Sequence, residues 1–115
     1  MDPRWMVLAD GAACGRVEDT MRAKRLFADT GEEMRSAHLS CFAFSDPMSG
    51  ARVARAALRH VGDLGFPAMF LAIPEHQTAE FLRAFGGKPL AAAGATVYAA
   101  RLPASGVWRI NTAEI

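Results

Sequence analysis

Apolar and polar positions alternate in the opening third of the chain and then give way to continuous apolar runs separated by helically spaced stripes. Trp5 to Ala9 is a short apolar run, Asp10-Gly11 is a hairpin turn signal, and Ala13 to Thr20 follows with an alternation weakened by Gly15. Met21 to Asp29 reads either as a continuation of the second strand or as a helical turn. Thr30 to Glu33 marks a second reversal, which brings a strand at 36–44 back beside the first two as an antiparallel meander. Leu39, Cys41, Phe42, Ala43 and Phe44 read as its buried part, because a mostly apolar run bounded by a turn suits a strand covered on both faces.

A turn carrying Asp46, Pro47 and Gly50 comes next, and past Gly50 the residues Val53, Ala56, Ala57, His60, Val61 and Leu64 recur at helical spacing. Gly65-Phe66-Pro67 ends that stripe, and Ala68 to Ile73 is an uninterrupted apolar run suited to the middle of a sheet. Strand, right-handed crossover helix and strand form a parallel βαβ unit, so the sheet changes from antiparallel to parallel at the 36–44 strand. Gln77 or Thr78 opens a second helix with Phe81, Leu82 and Phe85 on its apolar face, and Gly86-Gly87 closes it. Pro89 to Ala92, a reversal at Gly94, a strand at Thr96 to Leu102 and a short run at Val107 to Ile110 complete the expectation, an α/β (α+β) fold with one mixed sheet over residues 1–115.

Composition narrows the function classes. At 115 residues, 51% hydrophobic and 22% charged, the chain suits one globular domain with one core. A formal net charge of +1 gives no global case for nucleic acid, and any basic feature must be local. No apolar run approaches the roughly 18 residues of a membrane span, and the start lacks a signal-peptide core, so the expected address is cytoplasmic. Cys14 and Cys41 have no CxxC spacing and read as buried free thiols; no His, Cys or carboxylate spacing suggests a metal. Arg22, Lys24 and Arg25 read as a solvated strand edge or loop tip. His60, on the apolar stripe, reads as a buried histidine.

The DGAACG hairpin, the strand-turn-helix of AHLSCFAFSDPMSGARVARAALRHV and the step AMFLAIPEHQTAEFLRAFGG, in that order, resemble the GNAT family of N-acetyltransferases from that fold's second strand onward. The resemblance implies an acyl-CoA N-acyltransferase-like fold that binds acetyl-CoA and moves its acetyl group directly to an amine substrate. It also implies a partial domain without the family's first strand and two helices, whose exposed edge a second copy or a complementing chain would cover, so a homodimer is expected.

In the family the loop before the central helix holds the pyrophosphate on small residues and backbone N–H groups. The matching segment here is Ser49, Gly50, Ala51, Arg52, Val53 and Ala54, with Ser49 where the family has Arg or Gln, Arg52 where it has its first Gly, and Ala54 at a small position. Arg52, Arg55 and Arg59 share a helical face that would concentrate positive charge there, or be solvated. The family's acetyl thioester lies against the strand before that loop, here Cys41, Phe42, Ala43 and Phe44, where a main-chain N–H polarises the carbonyl. The family's frequent acid, a Tyr four residues before the closing glycine, is Leu82 here, and the chain's one tyrosine is Tyr98. Glu18, His38 and Glu75, near strand ends, are the candidate bases for the acceptor amine. Two other readings stand beside the enzyme: a non-catalytic module of the same fold for dimerisation or partner binding, and a ferredoxin-like α+β domain that strand order would distinguish.

Overall fold

The structure is a computed structural model describing residues 2–8, 10–19, 26–89, 92 and 94. Strand β1 (Arg4–Val7) pairs antiparallel with β2 (Ala13–Asp19), Arg4 opposite Val17 and Val7 opposite Cys14. The link between them is longer than a two-residue turn. Gly11 adopts φ +73°, its N–H donates to Leu8 O at 2.9 Å, and the Ala12 N–H donates to Asp10 Oδ1 at 2.9 Å, so the Asp-Gly pair still makes the reversal. A small ribbon of β3 (Leu26–Phe27) and β4 (Glu33–Met34) turns at Gly31, φ +86°, where the second reversal was expected.

β5 (Ser36–Phe44) is the strand on which the sheet is built, with bounds equal to those expected. It pairs antiparallel with β2 and parallel with β6 (Ala68–Leu71), giving the order β1-β2-β5-β6. β5 and β6 are joined through helix α1 (Pro47–Asp63) and lie side by side, whereas a ferredoxin-like split βαβ places a strand between such partners. The ferredoxin-like reading is thereby corrected. Mixed α+β architecture, an antiparallel hairpin leading into a parallel βαβ unit, is what the structure has.

Two helix starts differ from expectation. α1 begins at Pro47, not past Gly50: Asp46 caps it in extended conformation, and Pro47, which has no N–H to lose, takes the first turn. α2 (Glu75–Phe85) begins two to three residues earlier than Gln77 or Thr78, with Pro74 before it, and Gly86 closes it at φ +80° as expected. β6 is half-buried along its length, and its ladder stops at Leu71, short of Ile73. The Met21–Arg25 stretch with Arg22, Lys24 and Arg25, the strand at 96–102 with Tyr98, and the run at 107–110 lie outside the described residues.

The core lies between the sheet and α1. Val17, Ala37, Leu39, Phe42 and Phe44 come from the strands, and Ala51, Val53, Ala54, Ala57 and Val61 come from α1. Phe81 of α2 joins them, stacked on Phe44 and edge-on to Phe42, both at 5.7 Å between ring centroids. Arg55 ties the helices together, its Nη1 donating to Ala84 O and Phe85 O at 3.1 Å each and satisfying carbonyls at the end of α2.

One irregularity positions the rest. Cys14 pairs with Ala43 but Arg16 with Ser40, so two residues of β5, Cys41 and Phe42, oppose Gly15 alone. That is a β-bulge, and Cys41 takes the left-handed φ of +52°. The parallel ladder to β6 runs only from Ser36 to Leu39, so β5 continues through Cys41–Phe44 after its pairing with β6 has ended.

Candidate active site

The sheet face opposite α1 carries the polar residues of β2 and β5. Arg16 lies opposite Ser40 and Glu18 opposite His38. The Arg16 Nε is 3.4 Å from Glu18 Oε2, the Ser40 hydroxyl donates to Arg16 O at 3.2 Å, and His38 Nδ1 lies 4.0 Å from Glu18 Oε1. The His38 side chain is 4% exposed and that of Glu18 21%. Alternation explains the arrangement: Ala37 and Leu39 point to the core, so Ser36, His38 and Ser40 point away from it, and all five are buried. Two of the three candidate bases, Glu18 and His38, thus meet as a cross-strand pair, with Phe70 of β6 beside His38 in register. Glu75 starts α2 and is exposed, on a helix rather than on these paired strands.

The segment from Ser49 to Ala54 is the early part of α1, not a loop. Ser49, Gly50, Ala51, Val53 and Ala54 are buried and only Arg52 is exposed. The expectation of a loop over these residues is corrected for a physical reason, because Asp46 caps α1 and the helix begins at Pro47, before Gly50. Asp46 Oδ1 accepts from the Ser49 N–H at 2.9 Å, Oδ2 accepts from the Ser49 hydroxyl at 2.7 Å, and the Gly50 N–H donates to Asp46 O at 3.1 Å. The Ser49 hydroxyl, and then its backbone N–H, hold the Asp46 carboxyl below the usual carboxylate range. A carboxylate of the chain itself therefore occupies the positive end of the α1 dipole.

This divides the fit of acetyl-CoA in two. Along Cys41–Phe44 the strand runs past the end of its ladder with β6, while Ala43 and Phe44 stay paired with β2 on the other side. At the start of α1 a diphosphate would meet the Asp46 carboxylate rather than open N–H groups, and Arg52 is an exposed cation in the same segment of the helix. Arg55, engaged with the end of α2, does not belong to a phosphate-facing row with Arg52 and Arg59. His60 is half-buried rather than buried, with Arg4 Nη1 at 3.4 Å from its Nδ1, and Leu64 is exposed at the end of the helix.

Cys14 and Cys41 are free thiols of intermediate burial. Among the described residues no three His, Cys, Asp or Glu side chains are placed to hold a metal ion, and no helix is long and apolar enough to cross a membrane. Sequence reasoning missed the Asp46 cap, whose signal, Asp followed by Pro and Ser, was on view, and the bulge at Cys41, which leaves no local signal.

No protein-family model matches the chain, and no curated protein sequence matches it. Among solved structures it is similar to glucosamine-6-phosphate N-acetyltransferase from Arabidopsis thaliana, with 13% identity and a TM-score of 0.49. The likeness covers 76% of this chain and 58% of that one, so this chain spans little more than half the length of the enzyme it is compared with.

Proposed function

We propose that the chain is an N-acetyltransferase-like domain that uses acetyl-CoA as acyl donor and an amine as acceptor. The observation that carries this reading is the Glu18–His38 pair, an imidazole and a carboxylate 4.0 Å apart in adjacent strands, on the strand whose backbone parts from β6 immediately afterwards. The element order and the mixed sheet support it. Bound acetyl-CoA supplies an activated acyl group. His38 accepts the proton that the amine loses as the new C–N bond forms and the C–S bond breaks, coenzyme A leaves as its thiolate and takes up that proton from the imidazolium, and Glu18 stabilises the imidazolium meanwhile. The main chain of Cys41–Phe44 is the element that meets the acyl carbonyl, and Arg52 meets the phosphates as a charged fork instead of a backbone cradle.

Isothermal titration of the full chain with acetyl-CoA tests this. A dissociation constant in the micromolar range, roughly 8 kcal/mol, that weakens about tenfold in Arg52→Ala at unchanged thermal stability is the expected result. No heat at millimolar acetyl-CoA overturns the reading.

The Asp46 carboxylate at the start of α1 favours a second reading, a non-catalytic module of the same architecture that binds a partner or a second copy. Strand β1, at the edge of the sheet formed by the described residues, carries Trp5 and Val7 exposed at 55% and 61%, a surface suited to strand pairing. Under that reading Asp46→Asn, which keeps the cap and removes the charge, leaves acetyl-CoA unbound. Under the enzyme reading it tightens binding.

A further inference from the structure

We propose that a groove at the opposite end of α1 from Asp46 binds a small organic monocarboxylate between the guanidinium groups of Arg4 and Arg35. The groove, about 530 Å³, is lined by Asp2, Arg4, Arg35, His60, Leu64 and Phe66. It lies where β1 begins, where β5 begins and where α1 ends, away from Cys41–Phe44 and from the start of α1.

Both arginines are held in place by their surroundings. The Arg35 guanidinium sits 4.4 Å from the centroid of the Phe66 ring, in cation–π geometry, and donates from Nη2 to Asp19 Oδ2 at 3.4 Å. Arg4 Nη1 lies 3.4 Å from His60 Nδ1. A guanidinium has no acceptor, so in that contact Arg4 is the donor. Each guanidinium carries five N–H donors; among the described residues, the side chain of Arg35 directs one to Asp19 and that of Arg4 one to His60.

Charge selects the ligand class. Two guanidinium groups and one carboxylate, Asp2, line the groove, and Asp19 stands against Arg35, so the four formal charges balance. A balanced groove disfavours a phosphate dianion, and its selection of a singly charged carboxylate rests on the directional N–H donors of the two planar forks. Phe66, buried, and Leu64, 49% exposed, give the ligand an apolar wall, so the ligand carries an apolar part beside its carboxylate.

Titration of the full chain with benzoate, benzamide and inorganic phosphate, followed by protein-observed NMR shifts, tests the site. Benzoate is expected to shift resonances of Arg35, His60, Leu64 and Phe66 with millimolar affinity, and uncharged benzamide and phosphate are expected to bind at least tenfold more weakly. Arg4→Gln and Arg35→Gln should each weaken benzoate at least tenfold; if Arg35→Gln does not fold, Arg4→Gln alone decides. Equal binding of benzoate and benzamide, tighter binding of phosphate, or wild-type benzoate affinity in Arg4→Gln overturns the proposal.

Discussion

Gly50 of α1 and Phe44 of β5 occupy adjoining space so closely that a Cβ on Gly50 would lie 2.5 Å from both Cγ and Cδ1 of the Phe44 ring. The glycine is there for contact rather than conformation, since it is buried within regular helix. Gly50→Ala adds a methyl group against a ring that is itself 3% exposed and stacked on Phe81. Overpacking of this kind costs about 1–3 kcal/mol, and urea unfolding should read it. Phe44→Leu combined with Gly50→Ala should cost less than the two single changes added together.

Gly15 and Leu39 repeat the relationship across β2 and β5, where a Cβ on Gly15 would lie 2.5 Å from Leu39 Cδ1. Leu39 is fully buried, so Leu39→Ala is expected to destabilise by about 2–5 kcal/mol. Thermal denaturation gives the value. Gly15→Ala should be destabilising in wild type and less so in the Leu39→Ala background.

Arg55 joins α1 to the end of α2 through two hydrogen bonds from one nitrogen. Arg55→Met keeps most of the stem and removes the charged donor, leaving the Ala84 and Phe85 carbonyls without it. The expected loss is about 1.5–3 kcal/mol. Acetyl-CoA affinity should stay as in wild type, in contrast to Arg52→Ala.

Asp46 makes stability sensitive to acid. Its carboxyl is lowered from 3.8 in the folded chain, chiefly by the Ser49 hydroxyl and N–H, so the cap's contribution is fully present above the unfolded value and lost as pH falls through the folded one. The window is therefore below about pH 4. Asp46→Asn keeps an oxygen for the Ser49 N–H without titrating, so its denaturation midpoint should fall less steeply there than wild type, and the two curves should run parallel above about pH 5.

His38→Gln and Glu18→Gln separate the roles within the proposed site. Removing the imidazole should lower kcat with little change in acetyl-CoA affinity, whereas removing the Glu18 charge should have a smaller effect, of about tenfold. Steady-state kinetics against an amine panel, with folding checked by circular dichroism, measures both.

Much of this fold was legible in the residues. The Asp10-Gly11 and Thr30–Glu33 reversals, the 36–44 strand, the crossover to Ala68 and the Gly86 stop each rest on local signals, turn chemistry or apolar spacing, that tertiary contacts did not override. The start of α1 was not read correctly because Gly50 looked like a turn residue, whereas the space it must leave for Phe44 is a long-range demand. His60 follows the helical stripe in sequence but lines the groove at the end of α1 and is half-buried. Glu18 and His38 were separate candidates until strand register placed them opposite each other, and register is not written in either strand alone.

The bulge at Cys41 sets how β5 responds to gained and lost residues. Odd-numbered Ala37 and Leu39 and even-numbered Phe42 and Phe44 all belong to the core, and Cys41 is where the count changes parity. Deleting Cys41 restores a straight two-residue rhythm that keeps both rings inside. Inserting one residue after it turns both rings out and brings Ala43 in. The strand is therefore a one-way gate for length changes, tolerant of a deletion and intolerant of an insertion, and soluble yield and Tm of the two variants would show the asymmetry.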